Sequence, residues 1–185
     1  MARIPYVTAD ELSEEHAHLF SVDEENPDDI HNRAHQLMAN DPTIFAAWSE
    51  WAWVLYDVVS DPRRRELVIL TVARSMQNRY VWDQHVPMAI DGGLTREEID
   101  AIVAGKTTPF SSDETALLEY VRAFVRGSVD EERHERLHRD YSSREIVSVG
   151  FLAGEYLRIC RMLDAWDIDL AGDFIGWDLR QLSYE

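Results

Sequence analysis

The stretch that decides the fold is residues 62–105, PRRRELVILTVARSMQNRYVWDQHVPMAIDGGLTREEIDAIVAG. Its first part opens on Asp61 and Pro62, an N-cap residue followed by a proline at the first helical position. Apolar side chains then recur at helical spacing through Ile69, Leu70 and Ala73. Glu66 precedes these three by three, four and seven residues, so it shares their face. A carboxylate therefore heads a buried stripe. In the next helical segment Val81 and Trp82 lie four and three residues before His85, and Met88 and Ala89 follow by three and four. His85 too sits on an apolar face. Pro87 has no N–H for the Asp83 carbonyl, which predicts a kink beside His85. Thr95 with Glu98 forms a capping box for a third helix, and Gly105 ends it.

Outward from this block the same punctuation repeats. Thr8 with Glu11, Asn26 with Pro27, and Asp41 with Pro42 each announce a helix start on the N-terminal side. On the C-terminal side helices are expected over SSDETALLEYVRAFVRGS, DEERHERLHRDY and SSREIVSVGFLAGEYLRICRMLDAW. No stretch alternates as a strand would. The chain of 185 residues thus reads as one all-α helical bundle, a single domain over 1–185. Residues 167–185 read as a C-terminal extension. Its Phe174, Ile175, Trp177 and Leu179 give it enough apolar surface to dock on the body or on a neighbouring subunit.

Composition excludes several classes. The net charge of −17 argues against nucleic-acid binding and against docking on an anionic membrane. The most apolar stretch, IFAAWSEWAWVLYDVV, is interrupted by Ser49, Glu50 and Asp57, so it reads as a buried helix and not as a membrane span. No basic n-region precedes an apolar run, and a cytoplasmic location is expected. Lys106 is the one lysine and Cys160 the one cysteine. An internal disulfide, a dithiol redox pair and a Cys-rich zinc site are therefore excluded. The helical context of Cys160, LRICRML, suggests a small buried hydrophobe.

Glu66 and His85 form the pair that can carry chemistry. Pointing into one apolar region, they would perturb each other, and the carboxylate would hold the imidazole for proton transfer. The pattern also admits plainer roles: Glu66 as a first-turn carboxylate, His85 as a core histidine bonded to a backbone carbonyl. His31 with His35, and His134 with His138, have the four-residue spacing of a metal-binding pair. Both lie among charged residues and read as solvated faces, so no metal site is expected. Trp48, Trp51 and Tyr56 are candidates for a pocket wall, although an aromatic stripe at this spacing is more often core or subunit interface.

At these residues the chain resembles the alkylhydroperoxidase D-like, or carboxymuconolactone decarboxylase, superfamily. The likeness is densest over residues 62–105 and extends from RIPYVTADEL to the last long helix. The family's peroxidase branch carries a glutamate, then Cys-x-x-Cys, then a histidine four residues on. Here the glutamate is Glu66 and the histidine His85, whereas the cysteine positions hold Asn78 and Val81 and the intervening histidine is Tyr80. Peroxide reduction by a thiol pair needs an attacking and a resolving sulfur, and neither Asn78 nor Val81 supplies one. The resemblance therefore implies the decarboxylase side, which is similar around HVPMAIDGGLT and works without metal or organic cofactor.

It implies a cofactor-free lyase or isomerase acting on a small, aromatic-derived carboxylic acid or lactone, with an assembly of identical subunits. His85 would move the proton, Glu66 would orient it, and Tyr80 would assist. Trp82, Asn78 and Arg161 would contact substrate, and Glu155 and Tyr156 stand where longer members carry polar residues. The alternative is a non-catalytic ligand-binding or scaffold member; a Glu66–His85 bond sealed in a core without a cavity would mark that case.

Overall fold

A computed structural model describes residues 1–16, 19, 33–170 and 172–177. Among these, a short 3-10 helix (Ala9–Glu11) is followed by eight α-helices and no strand: α1 (Arg33–Met38), α2 (Pro42–Val58), α3 (Pro62–Met76), α4 (Arg79–Asp91), α5 (Arg96–Ala104), α6 (Ser112–Arg126), α7 (Glu131–His138) and α8 (Ser143–Trp166). The starts follow the expected chemistry. Asp41 accepts from the Ile44 N–H, Asp61 from Arg63, Asn78 from Val81 and Asp130 from Arg133. Capping boxes close at Thr95/Glu98, Ser111/Glu114 and Ser142/Glu145. Gly105 and Gly127 end α5 and α6 with φ of 72° and 65°, a region that costs a residue with a Cβ.

The helix expected after Thr8 is not formed. The Thr8 hydroxyl lies 2.6 Å and 2.9 Å from the carboxylates of Asp10 and Glu11, and the turn stops after Glu11. Leu19 of this stretch is nonetheless buried, in a small cluster with Met38, Ala39 and Phe45, and Leu12 packs against it half-buried. Asn26, Pro27, His31 and Leu179 lie outside the described residues.

α3 is the axis of the bundle. Every residue from Glu66 to Ala73 is buried, so the helix is enclosed all round, as its run of apolar letters requires. It packs against α4, α8, α6 and α5. Leu94 docks in the core after the Gly92–Gly93 turn. A Cβ at Gly92 would stand 3.1 Å from the Met88 carbonyl oxygen, so the turn needs a residue without one. α4 continues through Pro87, which is exposed. The described part of the C-terminal segment docks on its own chain. Trp177 lies 5.1 Å from Trp82, ring to ring, and the Trp82 indole donates to the Gly176 carbonyl. Arg79 and Arg74 cover Phe174 and Trp177 at 4.5 Å and 4.9 Å.

Candidate active site

Three helices present stripes of helical period to one cavity of about 480 Å³. α2 supplies Phe45, Trp48, Ala52 and Tyr56; α4 supplies Tyr80, Val81, Gln84, His85 and Met88; α8 supplies Leu152, Glu155, Tyr156 and Ile159. α1 closes one end with Ala34, His35 and Met38. The walls are mainly aliphatic and aromatic, with a few polar groups converging, the usual make-up of a small-molecule pocket.

His85 and Glu66 meet at the wall. His85 Nδ1 lies 2.8 Å from Glu66 Oε2, with Glu66 fully buried in α3 and His85 8 % exposed in α4. A carboxylate only accepts, so Nδ1 carries the hydrogen and Nε2 keeps its lone pair. Glu66 does not itself line the cavity, which leaves Nε2 as the imidazole nitrogen for a ligand. The second Glu66 oxygen faces Arg65 Nε at 3.5 Å, and the Arg65 guanidinium lies 4.3 Å over the Tyr56 ring. Tyr156 stands edge-on to His85 with ring centroids 5.0 Å apart, and its hydroxyl is 3.1 Å from that of Tyr56. Burial raises both phenol pKa values above the ordinary range, Tyr156 the more strongly.

Of the residues singled out by sequence, the cavity brings together His85, Tyr80, Trp48, Tyr56, Glu155 and Tyr156, with Glu66 behind the imidazole. The Tyr80 hydroxyl accepts from the Ala34 N–H at 3.2 Å, so it ties α1 to α4. Asn78, Trp82 and Arg161 are placed elsewhere. Asn78 is used as a cap, accepting from Val81 N–H and donating to the Cys160 carbonyl and to Asp164 at 2.7 Å. Trp82 is turned away from the cavity towards Trp177 and Gly176. Arg161 is exposed, two residues from both Ile159 and Leu163, hence on the far side of α8 from the stripe.

His35 also departs from its solvated reading. It lies between Phe45 and Trp48, with centroids 5.4 Å and 5.3 Å away, and burial lowers its pKa to about 4. Trp48 lines the cavity and donates to Glu155 at 2.6 Å, whereas Trp51 packs on Phe151 outside it. Gln84 and Tyr156 are the functional candidates the sequence reading underused. Gln84 lies four residues from both Tyr80 and Met88, and that period was available to find it. Among the described residues no group of three or more His, Cys, Asp or Glu side chains could hold a metal ion. The buried Cys160 thiol is pushed up to about 12 by desolvation, away from the reactive range.

The all-α bundle, with a Glu–His pair at a cavity wall and no Cys-x-x-Cys, has a fold of the alkylhydroperoxidase D-like type. Over residues 42–123, from the first turn of α2 to the last turn of α6, the chain matches the carboxymuconolactone decarboxylase family. That segment contains Glu66, Tyr80 and His85. No curated protein matches the sequence. Among solved structures, a Cys-to-Ala variant of the debrominase Bmp8 in complex with 2,3,4-tribromopyrrole is similar, at 13% identity and a TM-score of 0.67, over 93% of this chain and 95% of that one. At such identity the likeness is one of fold. No helix among the described residues is long and apolar enough to cross a membrane.

Proposed function

We propose that this protein is a cofactor-independent acid–base enzyme, a decarboxylase or related lyase or isomerase, acting on a small oxygenated, aromatic-derived acid or lactone. The observation that carries this reading is the Glu66–His85 hydrogen bond at the wall of a cavity large enough for such a molecule. A pair serving packing alone would be sealed in the core, and here it borders open space. His85 Nε2 takes a proton from carbon, or returns one, and Glu66 holds the ring and stabilises the imidazolium. The Bmp8 debrominase, of the same fold, holds a small ring compound, and a ligand of that size suits the cavity described here.

The test is exchange of carbon-bound hydrogen from an enolisable lactone in heavy water. His85→Gln should lower the catalysed rate by about 10²–10⁴-fold, the usual worth of a general base. Full catalysis by a folded His85→Gln protein would refute the proposal. The assembly belongs to the same reading. α2 and α8 expose Ile44, Val54, Val147 and Phe151 beside Trp51, an apolar face that suits another copy of the chain.

A further inference from the structure

The charges of the cavity wall restrict what it can hold. Among the described lining residues there is no arginine and no lysine. The carboxylate in the wall, Glu155, is tied to the Trp48 indole and to Arg158. His35 is held neutral by burial. His85 is already paired with Glu66. A ligand carboxylate entering this space would lose water and find no positive group in the described wall that is not already paired with a glutamate.

The Tyr56–Tyr156 pair points the other way. Two hydroxyls 3.1 Å apart share one hydrogen bond, which uses one of their two protons. One O–H is left to donate, and neither hydroxyl has another partner among the described residues. Both tyrosines line the cavity, and the Tyr156 ring touches His85. A hydrogen-bond donor thus stands next to the proton-transfer group, and the nearest cation, Arg65, lies behind it over the Tyr56 ring and against Glu66 and does not line the cavity. That is the arrangement that stabilises an oxygen acquiring charge during reaction, and it does not favour an oxygen that arrives charged.

We propose that the cavity takes an uncharged, planar, enolisable carbonyl compound, such as an unsaturated lactone, whose carbonyl oxygen accepts from the Tyr56–Tyr156 pair while His85 shifts a proton between two of its carbons. His85 Nε2 removes the proton next to the carbonyl. The C–H electrons form a C=C bond and the C=O π electrons move to oxygen, where the tyrosine O–H stabilises them. The imidazolium, whose N–H exchanges with solvent between the two steps, then delivers a proton to the far end of the conjugated system as the carbonyl re-forms, so no oxidant, reductant or other reactant is needed. This rests on the acid–base reading above and narrows it from decarboxylation, which requires a bound carboxylate, to isomerisation.

Trp48 and Trp53 in the wall report occupancy by fluorescence. Methyl 4-hydroxybenzoate and 4-hydroxybenzoate, the same ring with and without the charge, are titrated near neutral pH. The ester is expected to bind on the order of tenfold more tightly or better, and Tyr56→Phe with Tyr156→Phe should weaken it by about three- to tenfold, the worth of one neutral hydrogen bond. Equal or tighter binding of the acid overturns the proposal and needs no variant. Unchanged ester binding by the folded double variant overturns the tyrosine assignment.

Deuterium uptake into α-angelica lactone from heavy water separates the two readings. The proton-shift step requires uptake that is lost in His85→Gln while ester binding persists. Ester preference without uptake refutes the acid–base function and the isomerisation step and upholds the ligand class. Uptake without ester preference does the reverse.

Discussion

At the residue scale, chemistry follows from which atoms of a side chain are already engaged. His85 has one nitrogen held and one left for a ligand, whereas Asn78 has oxygen and nitrogen both committed to neighbours. His35 offers a pH test. Its pKa is about 4 in the fold against an ordinary 6.5, so the unfolded chain binds the proton more readily. Its contribution to stability is full above pH 6.5 and is lost as pH falls from there towards 4, by up to about 3 kcal/mol. Denaturation midpoints measured across that window should flatten in His35→Gln. Cys160, buried with its thiol near 12, should resist alkylation in the native protein at mildly alkaline pH and react once the chain is unfolded. Prompt native-state alkylation would show that the thiol is accessible.

At the element scale, most of the architecture was legible because helix starts and stops are local chemistry. Asp–Pro pairs marked α2 and α3 and a capping box marked α5 before any packing was known, and α6 and α8 open on boxes of the same kind. The turn after Thr8 had the same signature and stops after Glu11, so a capping box alone does not extend a helix. Glu66 and His85 were readable as facing one region, since each lies on its own helix's apolar side. Trp82, three residues from His85, looked equally placed. Its partner is Trp177, 95 residues further on, and no local period reveals that docking. The Tyr56–Tyr156 pair was hidden for the same reason, being formed across α2 and α8. Asn78→Ala should cost about 2–3 kcal/mol in chemical denaturation, the sum of a lost cap and a buried donor to Asp164. Asn78→Asp should be no milder: it can still cap α4, but it sets a second carboxylate against Asp164.

At the scale of the whole molecule, the two sides of the bundle differ. The α5–α6 side is held by Arg63 between Glu98 and Glu114, and burial competes there with direct ion pairing that lowers both carboxyl pKa values. The α2–α8 side presents Ile44 at 62 % and Phe151 at 56 % exposure. Sedimentation of Phe151→Glu is expected to show a smaller species than the unsubstituted protein, since a charge on that face would be buried unpaired in any assembly using it. An unchanged sedimentation coefficient would place the contact elsewhere.

The uneven enclosure of the cavity has a kinetic consequence. One wall is α4 and α8, each packed on the buried α3; the other is α2, with Trp53, Val54 and Val58 exposed. Local opening draws on the elements with least burial, so α2 is the wall that yields. Residence time of a bound molecule then depends on how often α2 lifts. Hydrogen–deuterium exchange should see it: amides of α2 exchange faster than those of α3 in the free protein and slow on ligand binding, while α3 stays protected throughout.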